Sequence, residues 1–390
     1  MNQSQISAGI RRKAALARAP LSAALELTPM CNFSCKMCYV RRSPAEVREA
    51  GGLRDAGWWL DVARQARDCG LLFPLITGGE PMTYPELPRL LSGLRELGLL
   101  PSMNTNASLI GPAELKWLSR CPPVRFNITL YGAGDSGYGA LCGDPGGFTK
   151  VDRAIRALRD AGYTLHLSAS ITPEDQDQLQ GIIAYGRKLG IPVQVATYMF
   201  PPVRRREDCF GQNQRLSPEE AGRLQAMADF WQYPPQTFLR TARHYAAFVP
   251  LAQIDFDSLQ PGPGEEMACT AGRCSCWVDW QGGLMPCGMN GEPRWSLDEM
   301  PFARAWDLAR THTEGVRACG VCQRCPNRDI CHVCATMVYN ETGTYQDRPL
   351  YFCRMTEAAA EQYRALAADM DGTALTEDGE SGPLERECDF

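Results

Sequence analysis

The sequence predicts an α/β protein: a partial (β/α)6 barrel of TIM-like type, followed by a small cysteine-rich region. Three observations predict it. Short apolar runs with little charge alternate with helical patterns from about residue 22 to 200. Repeated strand-then-helix order implies parallel pairing with helices packed outside. The residues with chemical character follow these runs, at the end where a barrel gathers its chemistry. Of the 18 cysteines, finally, thirteen fall into two groups, three at 31, 35 and 38 and ten between 269 and 353, and the other five are scattered. An open barrel fits the order better than a sheet with one switch point, although periodicity alone does not choose between them.

The strand-like runs are SAALELT (22–28), LFPLIT (72–77), LPSMNTN (100–106), VRFNITLYG (124–132), LHLSASIT (165–172) and PVQVATYM (192–199). Their lack of charge suits strands buried on both faces. Val151, Ile155 and Leu158 share one face of a helix over 149–161 that stops at Gly162. The next helix opens at Thr172 with Pro173 in its first turn and turns Leu179, Ile182, Ile183 and Leu189 to one side. Beyond 200, PPVRRRED reads as a linker or exposed loop. Ser217 to Glu220 is a capping box that starts a helix running to about Trp231. Residues 234–268 read as irregular, and WVDW, QGG and LMPC form a hairpin pattern. The expected division is an N-terminal extension (1–20), the barrel (21–215), a bridging region (216–268), the cysteine-rich region (269–365) and an acidic tail (366–390) too poor in apolar residues to fold.

A chain of 390 residues with 44% hydrophobic content can bury a large core and a smaller second unit. Its net charge of −5 gives no broad basic field, so nucleic acid and anionic membrane surfaces are excluded as main partners. The first thirty residues lack the apolar core of a signal peptide, which places the protein in the cytoplasm. In that reducing compartment, so many cysteines point to metal binding rather than disulfides. With only four histidines in the chain, sulfur must supply most ligands.

CNFSCKMC, residues 31–38, supplies three thiolates from Cys31, Cys35 and Cys38 on the loop after the first strand. Three cysteines on a four-iron cluster leave one iron open. Zinc would need a fourth ligand, and the nearest histidine is far away in sequence. The C-x3-C-x2-C motif resembles that of the radical S-adenosylmethionine (SAM) superfamily. The resemblance implies that the open iron is chelated by the amino and carboxylate groups of SAM, and that reduction cleaves SAM to a 5'-deoxyadenosyl radical.

ITGGEP (76–81) resembles the family's Gly-Gly-Glu motif, which implies that Gly78, Gly79 and Glu80 hold the amino group of SAM. NTN, with Asn104 and Asn106, resembles the third-strand contact, and Thr129 stands where relatives often place a ribose-binding Ser. Met37 departs from the family, which often has an aromatic residue there against the adenine, but can still cover the ring. The resemblance also places Ser170 and Met199, at later strand ends, among the cofactor contacts. Tyr131, Tyr198 and Met199 are expected to face the cavity.

The second cysteine group resembles the SPASM extension of radical SAM enzymes, which implies two auxiliary four-iron clusters and three in all. Cys269, Cys274, Cys287 and Cys334 would hold the first. Cys322, Cys325, Cys331 and Cys353 would hold the second, with Cys276 and Cys319 to spare. A zinc ribbon over 319–334 stays open on spacing alone. The likeness covers roughly residues 20 to 365.

Two function classes compete. A multi-cluster electron carrier needs no SAM pocket, so the Gly-Gly-Glu and NTN motifs favour the enzyme. SPASM relatives mostly modify ribosomal peptides, by thioether or carbon–carbon crosslinks or similar oxidation, and the expected partners are a peptide or protein substrate and a flavodoxin or ferredoxin reductant. Only thirty residues precede Cys31, so a separate leader-binding protein is expected, or substrate is held by the barrel and the 200–268 stretch. The rival is an anaerobic sulfatase maturase, which forms formylglycine and carries an Asp after the third cysteine of its first auxiliary set. Here that place is Gly288. Cys142, after the fourth strand, and Tyr131 are candidate catalytic groups, Cys142 as a hydrogen-atom donor. Arg204, Arg205 and Arg206 are candidates for an acidic leader peptide, weighed against a solvated face.

Overall fold

The computed structural model describes residues 3–204, 211, 214–259, 264 and 269–370. Six parallel strands run in chain order: β1 (Ser22–Glu26), β2 (Phe73–Thr77), β3 (Ser102–Thr105), β4 (Arg125–Leu130), β5 (Leu165–Ser170) and β6 (Val193–Ala196). Each lies within a run expected from the sequence. Helices cover the sheet between them. Ala56–Asp68 is capped by the Asp55 carboxylate, which accepts from the Trp58 backbone at 2.8 Å, and it buries Trp59, Val62 and Ala66. Leu87–Glu96 buries Leu90, Leu91 and Leu94. Each such leucine contributes about 1.5–3 kcal/mol by leaving water.

The sheet does not end at β1. Strands β7 (Ser275–Val278), β8 (Gly283–Met285) and β9 (Trp295–Ser296) extend it to the order β6-β5-β4-β3-β2-β1-β7-β8-β9. β7 lies parallel to β1, pairing Ser22 with Ser275 and Leu25 with Val278, and β7 and β8 form the expected hairpin. The cysteine-rich region thus continues the barrel sheet.

Three expectations need correction. The helix expected from Thr172 begins at Leu179, because the Asp175 carboxylate takes the Thr172 N–H and hydroxyl at 2.7 and 2.8 Å and closes a separate turn first. The stretch from 234, read as irregular, contains the helix Pro235–Ala246, with its proline in the first turn, where the missing N–H costs nothing. The helix Leu350–Asp369 runs past the expected start of the tail, because it packs on Pro218–Gln232 and buries Tyr363 and Ala367. Tyr363 also stacks on Tyr245 at 4.4 Å in a second apolar core. Residues 371–390 lie outside the described residues. No helix among the described residues is long and apolar enough to cross a membrane.

Candidate active site

The loop from Cys31 to Cys38 is carried by the end of the helix Asp135–Cys142. Ser34 and Lys36 donate backbone N–H groups to the carbonyls of Cys142 and Leu141, at 2.8 and 3.3 Å. Phe33 is buried and meets the edges of Tyr131 and Tyr138. The loop's own amides turn to its sulfurs: Phe33 N donates to Cys31 Sγ at 3.4 Å and Arg41 N to Cys38 Sγ at 3.3 Å. Asn106 Nδ2 lies 3.7 Å from Cys31 Sγ. The three thiols feel one another, and burial pushes Cys31 up to about 12, with Glu80, Cys35 and Cys38 adding to the shift. A thiol so raised becomes a good ligand only when a cation compensates its charge.

Gly78 and Gly79 press the loop after β2 onto this one. Gly79 N donates to Thr28 O at 2.6 Å and Glu80 N to Met30 O at 2.9 Å. A Cβ on Gly78 would stand 2.3 Å from Thr28 O, and one on Gly79 would stand 2.2 Å from Met30 O. Glu80 is fully buried. Its carboxylate accepts from Thr105 Oγ1 at 2.7 Å, Asn106 N at 2.7 Å and Met82 N at 2.9 Å. Three of about four lone-pair directions are therefore taken by the protein. Glu80 locks the loops after β2 and β3 together, and burial raises its pKa.

The other expected contacts divide. Asn106 donates to Asn32 Oδ1 at 3.0 Å and so joins the cluster loop, whereas Asn104 accepts from Asn127 at 2.7 Å across the sheet. Thr129 pairs with Ser168 at 3.3 Å, and Ser170, Met199 and Met37 are half-buried near the strand ends. Tyr198 does not face the cavity as expected. Its hydroxyl donates to Glu341 at 2.7 Å and its ring lies on Phe352, because the C-terminal helix covers the end of β6. Cys142 is 1% exposed, and its thiol lies beside that of Cys35. That position does not suit a hydrogen-atom donor to substrate. Tyr131 lies close to Cys35 as well, and hydrogen bonding to Cys142, more than that to Tyr131, lowers the pKa of Cys35.

The C-terminal cysteines fall into two groups. Cys274 neighbours Cys269, and Cys334 neighbours both Cys269 and Cys287. Cys269 and Cys287 line a small cavity of about 50 Å³, partly open to solvent. Cys322 has Cys331 and Cys353 nearby, and both of these neighbour Cys325. Cys319, read as a spare, touches Cys322 and belongs to this second group. Cys276 is buried in β7 opposite Ala23, as filler in the sheet. Thiolates grouped in this way are the donors a four-iron cluster takes. Among the described residues, no three His, Cys, Asp or Glu side chains are arranged to hold a single metal ion.

Residues 25–186 match the sequence profile of the Radical SAM superfamily. The chain carries a radical SAM domain. Such domains bind a four-iron cluster and SAM. The chain is 22% identical to the AdoMet-dependent heme synthase of Methanosarcina barkeri over 360 residues, 86% of this chain and 97% of that protein. It is 26% identical to the PqqA peptide cyclase of Xanthomonas campestris over 323 residues, 80% of each. Among solved structures, Streptococcus suis SuiB bound to precursor peptide SuiA shares the fold with a TM-score of 0.61 at 19% identity, over 89% of this chain and 81% of that one. Native anSMEcpe with bound AdoMet does so with 0.66 at 17%, over 90% and 100%.

Sequence reasoning missed a junction between the radical SAM domain and the C-terminal cysteine-rich region. Glu26, the last residue of β1, is fully buried and receives both nitrogens of Arg204, Nη1 at 2.8 Å and Nη2 at 3.1 Å. Trp277 Nε1 donates to the same carboxylate at 3.0 Å. Arg204 also donates to Gly288 O at 3.2 Å and lies over the ring of Tyr39. One guanidinium thus touches the residue after Cys38 and the residue after Cys287. Arg204 is internal and ion-paired, so the first member of the RRR run is neither a solvated face nor free for a leader peptide. Arg205 and Arg206 lie outside the described residues. The available signal was Glu26, the one charge in SAALELT.

Proposed function

We propose that this radical SAM enzyme modifies a ribosomally made peptide, forming a thioether or carbon–carbon crosslink or a similar oxidation. The observation that carries the reading is the junction at Arg204, which joins the loop after Cys38 to the loop after Cys287, so that a catalytic and an auxiliary redox site share one wall. When bound, the cluster and SAM supply a 5'-deoxyadenosyl radical. Cys31, Cys35 and Cys38 would hold that cluster, and the backbone of Gly78–Glu80 with Asn106 would hold the amino end of SAM. Cys269, Cys274, Cys287 and Cys334 would hold the first auxiliary cluster, and four cysteines of the second group the other. Tyr131 stays near the cluster loop as a positioning group. The divisions of the chain set out from its sequence, a cytoplasmic location, a flavodoxin or ferredoxin reductant and a separate leader-binding partner complete the proposal.

The likeness to a PqqA peptide cyclase across most of both chains supports a peptide substrate. Against sulfatase maturation stands Gly288: a Cβ there would be 2.3 Å from the Trp277 ring, so an Asp cannot be accommodated in this arrangement. A second reading, heme synthesis, is favoured by the alignment over 97% of the Methanosarcina barkeri heme synthase. The test is to incubate reduced enzyme and SAM with short cysteine-containing peptides encoded beside its gene. A peptide that loses the mass of two hydrogen atoms per bond formed, with deoxyadenosine released, supports the proposal. Every peptide unchanged, with deoxyadenosine and heme formed when a tetrapyrrole heme precursor is supplied instead, would favour the second reading.

A further inference from the structure

The cavity at the first auxiliary cysteines holds a polar atom for which the cysteines do not account. His312, in the last turn of the helix Phe302–Gly315, lines this cavity with Cys269 and Cys287. Its Nε2 is buried and has no hydrogen-bond partner among the described residues. Neighbouring polar groups of the wall are engaged elsewhere: Asn290 donates to the Tyr345 hydroxyl at 3.0 Å and accepts from Asn340 at 2.9 Å.

The fold fixes this placement. In the turn from Cys269 to Cys274, Thr270 O accepts the N–H groups of Arg273, Cys274 and Ser275 at 3.0, 2.9 and 2.9 Å. Gly272 has φ +67, and a Cβ on it would meet Thr313 Oγ1 at 2.3 Å. The turn is therefore pressed onto the helix at the residue beside His312. The imidazole meets the edge of Trp295, with centroids 6.4 Å apart.

A buried N–H without an acceptor costs about 1–3 kcal/mol, so such a group persists where an acceptor is supplied. This cavity is lined by Cys269, Cys287 and Glu292; a cluster held by the cysteines would bring sulfur acceptors to it, and hydrogen bonds to cluster sulfur raise the reduction potential. We propose that His312 donates its Nε2–H to a sulfur of the first auxiliary cluster and holds that cluster's potential above the value its cysteine ligands alone would set. This rests on the reading of Cys269, Cys274, Cys287 and Cys334 as a cluster site.

The test uses the full chain with Cys31, Cys35 and Cys38 changed to Ala, so that the spectra report the auxiliary clusters. In an EPR-monitored redox titration, His312→Leu should shift one midpoint to a more negative potential with iron content unchanged. His312→Gln, which keeps an N–H near the same point, should restore it. An unmoved midpoint in His312→Leu overturns the proposal. A second measurement does not depend on the Leu variant. With histidine labelled by nitrogen-15, electron–nuclear double resonance of the parent should show coupling to one cluster that His312→Gln abolishes, and absence of that coupling in the parent overturns the proposal. The underlying reading is tested apart from it: Cys269→Ala with Cys287→Ala should remove one cluster's iron, and retention of all the iron would reject the site itself.

Discussion

Arg204 and Glu26 form a two-point ion pair at the C-terminal end of β1, with Trp277 as a third partner on the same carboxylate. Both side chains are nearly out of solvent. Removing one member of such a pair leaves a buried charge and costs about 3–5 kcal/mol. Glu26→Gln should therefore lower the urea midpoint sharply, and the double variant Glu26→Gln with Arg204→Met should recover most of the loss. Equal losses in the single and double variants would mean that the pair does not couple the two loops.

Gly288 is occupied in space by its neighbour's ring. Gly288→Ala should cost about 1–3 kcal/mol through overpacking against Trp277, measured as a lower denaturation midpoint. A variant as stable as the parent would show that the indole moves aside at little cost, and would reopen the place to a carboxylate.

Much of this architecture was legible because buried parallel strands leave a plain signature. All six barrel strands lie inside apolar runs with little charge, and the Ser217 capping box forms as the spacing predicts. The cysteine motifs are read from spacing because their loops are short. What was missed depends on distant partners. Nothing local in SCWV says that β7 pairs with β1, some 250 residues earlier in the chain. The Pro234–Pro235 pair reads as a break, yet Pro235 stands in the first turn of the helix, where an N–H has no intrahelical partner to lose. The role of Arg204 required knowing where Glu26 and Gly288 meet.

Cysteine deletions separate ligand from filler. Cys276→Ala should keep all its iron and cost about 1–2 kcal/mol, as loss of a small buried group does. Cys353→Ala should lose the iron of one cluster. Cys319→Ala should keep its iron, because four other cysteines of that group remain. Iron loss on changing Cys319 would place it among the ligands and release one of its neighbours.

Asp175 gives a pH test. One carboxylate oxygen is bonded to Thr172, and the other is buried with no partner among the described residues. Burial pushes its pKa up from 3.8 to about 6. The folded state therefore keeps the proton to higher pH than the unfolded chain. This contribution to stability is complete below the unfolded value and is lost as pH rises through about 6. Asp175→Asn should remove that slope and gain up to about 3 kcal/mol at pH 7. Parallel stability curves for the variant and the parent between pH 5 and 7.5 would contradict it.

The most direct measurement is iron and 5'-deoxyadenosine in the same anaerobic preparation. The reconstituted chain should hold about twelve iron atoms and cleave SAM when reduced. Changing Cys31, Cys35 and Cys38 together to Ala should abolish deoxyadenosine while leaving about two-thirds of the iron. Deoxyadenosine made by that triple variant, or iron lost from it entirely, would contradict an account in which these three cysteines hold the catalytic cluster and the later ones hold two more.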